Sequence, residues 1–183
     1  MRFEPTSVDC VVLIDVDRIE DERGFFARAW CRREFADHGL DAEFVQENVG
    51  FSASAGTMRG LHFQKRPNAE AKLVRCTSGA VWDVAVDLRP TSPTYLQSVG
   101  CELRSDRGNM LYVPVGCAHG YLTLTDGAEV RYLTSQSYAP ESVAGARYDD
   151  DELAIKWPRD VTIVSEQDLS WPLLSESDER PFE

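Results

Sequence analysis

Two residues that could carry out acid–base chemistry, His62 and Lys72, lie ten positions apart between segments typical of β-strands. A histidine with its ordinary pKa of about 6.5 is a workable base at neutral pH. A lysine supplies a compact positive charge that can stabilise an oxyanion as it forms. The stretch from Gly56 to Arg75 therefore indicates a small pocket in which a base and a cation face one ligand.

A second segment, Gly108 to Thr123, has the spacing G-x5-P-x-G-x2-H and is similar to the cupins, which are small double-stranded β-barrels. In the first segment, Gln64 occupies the place of the second metal-binding histidine of that pattern. A firm divalent-metal site needs three or four converging His or carboxylate ligands, and Lys72 would put an ammonium there instead. We predict a site without metal; a metal-dependent cupin that uses His62 and His119 is the alternative.

Apolar and β-branched clusters separated by turn residues recur along the chain, which favours an all-β fold. The run AVWDVAVDL alternates, so Asp83 is predicted to point into the barrel. Helical patterns are limited to Arg32–His38 and to one turn at Asp149–Ile155. We predict a cupin-like double-stranded β-helix (jelly roll) with a few short peripheral helices. The predicted strands include Cys10–Ile14, Phe44–Val45, Lys72–Cys76, Ala80–Leu88, Met110–Val113, Tyr121–Leu124 and Val130–Thr134.

The chain has 183 residues and is 43% hydrophobic, so it can bury one full core. We predict a single domain over residues 1–183, with the acidic residues after Pro172, roughly the last ten, loosely held. The net charge of −12 argues against a nucleic-acid surface, so an anionic ligand must meet a local basic pocket.

Early acidic residues interrupt any signal-peptide core, and no apolar run approaches the ~20 residues of a membrane span. We expect a cytoplasmic protein without membrane contact. The five cysteines include no C-x-x-C pair and predict neither a disulfide framework nor a zinc site. Cys117, two residues before His119, could suggest a thiol nucleophile, but its apolar neighbours favour a packing role.

A series of short motifs runs in order along nearly the whole chain and resembles the dTDP-4-dehydrorhamnose 3,5-epimerases. The presence of so many motifs in this order is specific for that superfamily, but it is less specific for the individual substrate. The motifs are DERGFF (Asp21–Phe26), QEN (Gln46–Asn48), RGLHFQ (Arg59–Gln64), KLVR (Lys72–Arg75), DVAVDLR (Asp83–Arg89), SPT (Ser92–Thr94), AHGY (Ala118–Tyr121), WP (Trp157–Pro158) and SEQD (Ser165–Asp168).

The resemblance implies epimerisation, without a cofactor, of a nucleotide-linked 4-keto-6-deoxy sugar at carbon 3, carbon 5 or both. The ketone at carbon 4 makes the neighbouring hydrogens acidic because the carbanion delocalises onto oxygen as an enolate. Carried over by motif, His62 is the base and Asp168 its orienting partner, Lys72 stabilises the enolate, and Tyr132 is the acid. His119 polarises the ketone or binds the sugar.

Each of these residues also has a purely structural explanation on sequence alone. His62 could be a hydrogen-bonded barrel histidine, and Lys72 a charge that protects a strand edge. Tyr132 is predicted to lie on the same face of its strand as Val130, as a core tyrosine would. Asp168 could cap a turn. The family resemblance favours the catalytic interpretation of all four.

The resemblance also implies a set of residues that bind the nucleotide sugar. An arginine fork suits a diphosphate, and an aromatic ring can stack on a base. In this family the residues matching Arg23 and Phe26 reach into the neighbouring subunit's site, which implies a homodimer with shared active sites. The predicted binding residues are Arg23, Phe26, Arg28, Gln46, Asn48, Arg59, His119 and Tyr138.

Alternatives to a thymidine-linked substrate and to an enzyme stay open at this point. Arg28, Val143 and Gln167 depart from the family pattern near the nucleotide. An arginine would donate to an acceptor such as the ring nitrogen of cytosine, so a CDP-linked 4-keto sugar is a competing substrate. A sugar-nucleotide binding module without turnover is the other alternative, although the four catalytic residues are intact.

Overall fold

The computed structural model describes residues 1–40, 43–176 and 182, and every strand pair among them runs antiparallel. The described helices are α1 (Arg32–Asp37) and α2 (Glu166–Leu169), with 3₁₀ turns at Pro140–Ser142 and Leu174–Glu176. In chain order the described strands are β1 (Arg2–Pro5), β2 (Val12–Asp15), β3 (Arg18–Asp21), β4 (Gly24–Ala27), β5 (Gln46–Ser52), β6 (Met58–Gln64), β7 (Lys72–Ser78), β8 (Ala80–Asp87), β9 (Ser98–Arg104), β10 (Met110–Val113), β11 (Cys117–Thr123), β12 (Ala128–Thr134) and β13 (Val143–Gly145).

Two large sheets form the body of the fold. One has the strand order β1-β2-β10-β7-β12-β5 and the other the order β13-β6-β11-β8-β9, while β3 and β4 form a separate hairpin. The main core lies between the sheets, where Val74 and Val130 of the first meet Ala85 and Leu103 of the second. This is the predicted all-β, cupin-like jelly roll, and the prediction is confirmed.

The alternation of β8 explains why the second sheet is buried on both faces. Val81 and Ala85 belong to the core between the sheets, whereas Val84 and Val86 belong to a second cluster on the other face. That outer cluster is covered by chain segments that follow β13, among them Trp157. Asp83 lies on the inner side and is fully buried, as the alternation predicted.

The short helix α1 covers part of the outer face of the first sheet, over β2, β7 and β10. Its single buried residue, Phe35, packs in a third cluster with Ile14 and Met110. The predicted helix at Arg32–His38 is therefore confirmed to within one residue. Among the described residues, no helix combines the length and the apolar character that crossing a bilayer requires.

The predicted helical turn at Asp149–Ile155 is wrong, because this segment forms non-helical turns. The Asp150 side chain accepts hydrogen bonds from the backbone of Glu152 and of Leu174, and such local bonds compete with a helix. Ala154 has a positive φ of 45°, which also breaks helical geometry.

The predicted strand at Phe44–Val45 is displaced, since pairing begins at Gln46. The predicted loose tail falls largely on residues 177–181 and 183, which lie outside the described residues. Phe182 is described and packs against Phe63, with ring centroids 5.4 Å apart.

The DLR and SPT motifs meet in one buried network around Asp87. The carboxylate is fully buried and accepts hydrogen bonds from the Arg89 side chain and from the hydroxyls of Ser92 and Thr94. Burial opposes ionisation of Asp87, but these hydrogen bonds outweigh it and lower its pKa to about 2. These two motifs therefore hold the fold together at one end of β8 and do not line the cavity.

Asp87→Asn should lower the free energy of unfolding at neutral pH by about 3 kcal/mol, because it removes the buried charge that pairs with the half-buried Arg89 and accepts from Ser92 and Thr94. A depressed folded-state pKa contributes stability that is present above the unfolded value of about 3.9 and is lost as the pH falls through the folded value. The difference between wild type and variant should therefore shrink between about pH 4 and pH 2. Urea unfolding followed by tryptophan fluorescence measures it.

The exposed Asp151 provides the matched control, since Asp151→Asn should follow the wild-type curve at every pH. A constant gap between wild type and Asp87→Asn over the acid range would contradict the assignment of a charged, paired Asp87.

Candidate active site

A cavity of about 620 Å³ opens between the two large sheets. Its walls come from β6 and β11 of one sheet and from β5, β7 and β12 of the other, with the segment around α2 closing one side. Most of the predicted site residues line it. They are His62, Lys72, Tyr132, Asp168, Gln46, Asn48, Arg59, His119 and Tyr138.

His62 and Asp168 form a close pair at the cavity wall. The Nε2 atom of His62 lies 2.6 Å from Asp168 Oδ1, and the imidazole is 40% exposed whereas the carboxylate is 5% exposed. Since an ionised carboxylate only accepts hydrogen bonds, Nε2 carries the hydrogen and Nδ1 is left as the basic nitrogen. The pair therefore has a fixed tautomer and one nitrogen available for proton transfer.

Helix α2 sets the position of Asp168. The Ser165 hydroxyl is the N-cap and accepts from the Asp168 backbone N–H at 3.1 Å, and Asp168 Oδ2 accepts from the Gly60 backbone N–H at 3.3 Å. Burial opposes ionisation of Asp168, but its hydrogen bond with His62 and the others outweigh this, so its pKa is lowered. Asp168 therefore stays ionised beside the imidazole and does not itself cap the helix.

The approach of β6 to β11 depends on two glycines. Gly60 has a φ of +111°, and a Cβ there would lie 2.6 Å from the Cα of Gly120. Because no side chain separates the strands at this point, His62 and His119 are direct neighbours in the strand register. The glycines in RGLHFQ and AHGY thus bring the two histidines together.

Lys72 begins β7 and enters the cavity from the opposite sheet. Its Nζ donates to the backbone oxygen of His62 at 3.1 Å and lies 3.3 Å from Glu70 Oε1. Burial lowers the pKa of Lys72, and the carboxylates of Glu70 and Asp83 oppose that effect. The predicted base and cation therefore border the same space.

A second histidine–carboxylate pair lies deeper in the wall. His119 Nε2 is 2.9 Å from Asp83 Oδ1, and both side chains are buried. The Tyr132 ring on β12 is 6.5 Å from the His119 ring, and burial, with a smaller effect from Glu70, raises the pKa of Tyr132. The tyrosine hydroxyl therefore stays protonated at neutral pH.

The remaining predicted binding residues form the more open part of the cavity. Arg59 donates to the Phe51 backbone oxygen at 2.8 Å while its residue remains exposed. Gln46 donates to Asn48 at 3.0 Å and accepts from the Tyr138 backbone N–H at 3.1 Å. Tyr138 is 63% exposed, so its ring is free to meet a ligand.

Arg23, Phe26 and Arg28 do not line the cavity of their own chain. Arg23 and Phe26 lie on the β3–β4 hairpin, where Arg23 pairs with Asp21 and Phe26 is 74% exposed. Arg28 donates to Glu34 at 2.7 Å. A single chain therefore does not unite these three residues with the others.

Sequence reasoning missed Glu70 as a cavity residue and left Asp83 out of the site. The alternation of β8 already indicated an inward Asp83, whereas Glu70 lies in a loop with no periodic signal. Cys117, in contrast, lies in the core between the sheets, and burial raises its pKa to about 12. Such a thiol is protonated at neutral pH and suits packing.

The donor set of a metal-dependent cupin is not found in the described part of the chain, which has no group of three His, Cys, Asp or Glu side chains that could hold a metal ion. His62 and His119 each direct Nε2 to a carboxylate. The amide of Gln64 is engaged with Asn68 and Ala139. The described residues therefore offer fewer converging ligands than the three or four that a firm metal site needs.

Comparison with known proteins gives one consistent result. The sequence model of the dTDP-4-dehydrorhamnose 3,5-epimerase family matches residues 5–176. The dTDP-4-dehydrorhamnose 3,5-epimerase of Sinorhizobium fredii is 44% identical over 181 residues, covering 96% of this chain and 91% of that protein.

Solved structures agree with the sequence comparison. The crystal structure of the enzyme of the same name from Elizabethkingia anophelis has a TM-score of 0.94 and 37% identity, covering 98% of this chain and 99% of that one. The dTDP-6-deoxy-D-glucose-3,5-epimerase of Legionella pneumophila, in complex with dTDP-4-keto-L-rhamnose, has a TM-score of 0.90 and 35% identity, covering 97% and 94%.

His62→Ala should raise the pKa of Asp168, because the hydrogen bond that most strongly lowers it is lost while burial remains. A pH titration of the Asp168 carboxyl carbon by ¹³C NMR measures the change. His38→Ala is the control, since His38 hydrogen-bonds the Glu34 backbone outside the cavity and should leave the titration as in wild type. An unchanged Asp168 titration in His62→Ala would show that the two side chains are not paired in solution.

Proposed function

The chain belongs to the dTDP-4-dehydrorhamnose 3,5-epimerase family, and we propose that it epimerises a dTDP-linked 4-dehydro-6-deoxy-hexose without a cofactor. It is an isomerase, acting at carbon 3, carbon 5 or both, and residues 1–183 act as one domain. The observation that carries the proposal is the meeting of His62, oriented by Asp168, with the Lys72 ammonium in one cavity.

His62 removes the proton from the carbon next to the ketone. With Nε2–H held by Asp168, the lone pair of Nδ1 accepts the proton and the ring becomes an imidazolium. The ionised, mostly buried Asp168 stabilises that new charge at 2.6 Å. The pair thus provides a base whose orientation is set before the substrate arrives.

Lys72 stabilises the enolate that deprotonation creates. Its ammonium is nearly enclosed, so the charge acts through a medium poorer in water than bulk solvent. His119, whose Nε2 is held by Asp83, contributes its other ring nitrogen to contact with the sugar. Negative charge therefore develops where positive charge and fixed polar groups already lie.

Tyr132 returns a proton to the opposite face of the carbon. His62 lies on β6 of one sheet and Tyr132 on β12 of the other, so the acid and the base approach from different walls. The raised pKa of Tyr132 keeps its hydroxyl protonated and able to donate. Inversion follows because the proton leaves from one side and arrives from the other.

The open end of the cavity suits the nucleotide. Arg59 offers a guanidinium to the diphosphate, Gln46 and Asn48 offer amides, and Tyr138 offers an exposed ring for stacking. The thymidine nucleotide is supported by relatives whose names carry dTDP. The cytidine alternative depended on Arg28, which pairs with Glu34 away from this chain's cavity.

A homodimer with shared sites would supply Arg23 and Phe26 from the partner. The β3–β4 hairpin exposes Ile19, Phe25 and Phe26 together. The edge strand β5 of the first sheet also exposes Val49 and Phe51. Exposed apolar side chains on the hairpin and on an unpaired strand edge support association with a second copy of the chain.

Wild-type enzyme in heavy water should incorporate deuterium into dTDP-4-keto-6-deoxyglucose, and the labelled positions report whether carbon 3, carbon 5 or both react. In His62→Ala the rate of deuterium incorporation should fall by about a hundredfold or more, because the base is gone. Tyr132→Phe should keep exchange and lose inverted product, because only the acid is gone. NMR of the recovered sugar measures both.

His38→Ala controls for the loss of a histidine outside the cavity and should match wild type. A wild-type protein that binds the sugar nucleotide but incorporates no deuterium would support the binding-module alternative and end the epimerase proposal. Full inversion by Tyr132→Phe would refute the role of its hydroxyl.

Shared sites make a specific prediction for hybrid dimers. A dimer of one His62→Ala chain and one Arg23→Ala chain contains one site with both native residues, because each residue reaches that site from a different chain. Its activity at low substrate should exceed that of either parent homodimer. Differently tagged chains, co-expressed and purified through both tags, provide the hybrid for assay.

The control hybrid joins His62→Ala with Asp168→Asn, two residues that meet within one chain. In that hybrid both sites stay defective, so no recovery is expected. Equal activities for the two hybrids would exclude a contribution of Arg23 across the interface.

A further inference from the structure

Glu70 is a carboxylate in the cavity that the proposed reaction does not use. It lies in the loop between β6 and β7, and its side chain is 9% exposed. Its Oε1 lies 3.3 Å from Lys72 Nζ, and its Oε2 accepts from the amide of Gln64. Removing a carboxylate from water is unfavourable unless it is well paired, so its place beside the cavity needs an explanation.

Lys72 can stabilise the enolate by its charge only as an ammonium, and burial of the side chain disfavours that charged form. The side chain is 7% exposed, and burial lowers its pKa. The opposing influences are negative charges, first Glu70 through charge and hydrogen bonding, then Asp83 through charge alone. Asp83 is already hydrogen-bonded to His119, so Glu70 is the carboxylate in direct contact with the ammonium.

Gln64 holds Glu70 in this position. Its amide nitrogen contacts the carboxylate and the backbone oxygens of Asn68 and Ser137, while its oxygen accepts from the Ala139 backbone N–H at 2.7 Å. Gln64 is buried and has little freedom to turn. The residue that replaces a metal-binding histidine of the cupin pattern thus serves to orient a carboxylate.

Resting on the proposed role of Lys72 toward the enolate, we propose that Glu70 is a positioning residue that keeps the Lys72 ammonium charged and directed into the cavity. It thereby sets the upper pH limit of the reaction. Lys72 is held from two sides, by Glu70 and by the backbone oxygen of His62, with one further N–H left for the substrate oxygen.

The same carboxylate acts on the acid. Burial raises the pKa of Tyr132 most, and the negative charge of Glu70 raises it further. One side chain therefore favours the protonated forms of both Lys72 and Tyr132. Among the described residues, the other charged or titratable groups on the cavity walls are Arg59, His62, His119, Tyr121, Tyr138 and Asp168, and Asp83 lies behind His119.

Glu70→Gln tests the proposal, since it removes the charge and keeps the size and an oxygen that can accept from Gln64. The turnover number should fall about tenfold at neutral pH with little change in KM, because the enolate loses its cation and the nucleotide contacts remain. The alkaline limb of the kcat profile should move to lower pH, because Lys72 now loses its proton earlier. Glu70→Asp, which keeps the charge, should recover part of the wild-type profile.

The exposed Glu152 gives the control, and Glu152→Gln should match wild type in both rate and pH profile. A Glu70→Gln profile that superimposes on wild type would overturn the proposal and leave Glu70 a packing role. A loss of rate with no movement of the alkaline limb would overturn it as well.

Direct observation of the Lys72 side chain separates this proposal from the proposed function. ¹⁵N NMR of the Lys72 amine, without substrate, should show an ammonium at neutral pH in wild type and earlier deprotonation in Glu70→Gln. A neutral amine in wild type would overturn the proposal even if the variant does not fold. An ammonium that depends on Glu70, in a protein without deuterium exchange, would uphold the pairing and reject the epimerase function.

Discussion

The cavity side chains are held by buried carboxylates, each of which faces one basic group. Asp168 holds His62, Asp83 holds His119, and Glu70 lies against Lys72. Charges in an apolar barrel persist only when they are paired, so these contacts fix rotamers as well as protonation states. The cavity is therefore preorganised before any ligand enters. The free-energy cost of fixing these side chains is offset when the two sheets fold around them.

The division of these groups between the sheets gives the cavity its two chemical sides. β6 and β11 carry the histidines, whereas β7 and β12 carry Lys72 and Tyr132. In the proposed mechanism, a sugar ring lying between the sheets would meet the base on one face and the acid on the other. The core packed between the two sheets holds these walls in place.

Periodicity predicted those parts of the fold whose side chains alternate between two buried faces, such as β8 with its inward Asp83. It did not find β6, whose Gly60 interrupts the pattern, or the exposed β3–β4 hairpin, where burial imposes no alternation. The prediction of a helical turn at Asp149–Ile155 was wrong because the Asp150 side chain accepts hydrogen bonds from backbone N–H groups, which competes with a helix. The spacing of His62 and Lys72 predicted that they share a pocket. Glu70 could not be predicted in this way, because it lies in a loop without a periodic pattern and only the fold of that loop places it at the cavity.

The contact between Gly60 and Gly120 has a consequence for engineering this scaffold. Any larger residue at either position would wedge β6 from β11 and misalign both histidines at once, so these sites tolerate no diversification. Val143 and Gln167 also line the cavity but belong to neither histidine pair nor the lysine pair. A library that seeks altered ligand preference is best confined to such positions, where the shape of the binding space can vary while the paired histidines and lysine keep their alignment.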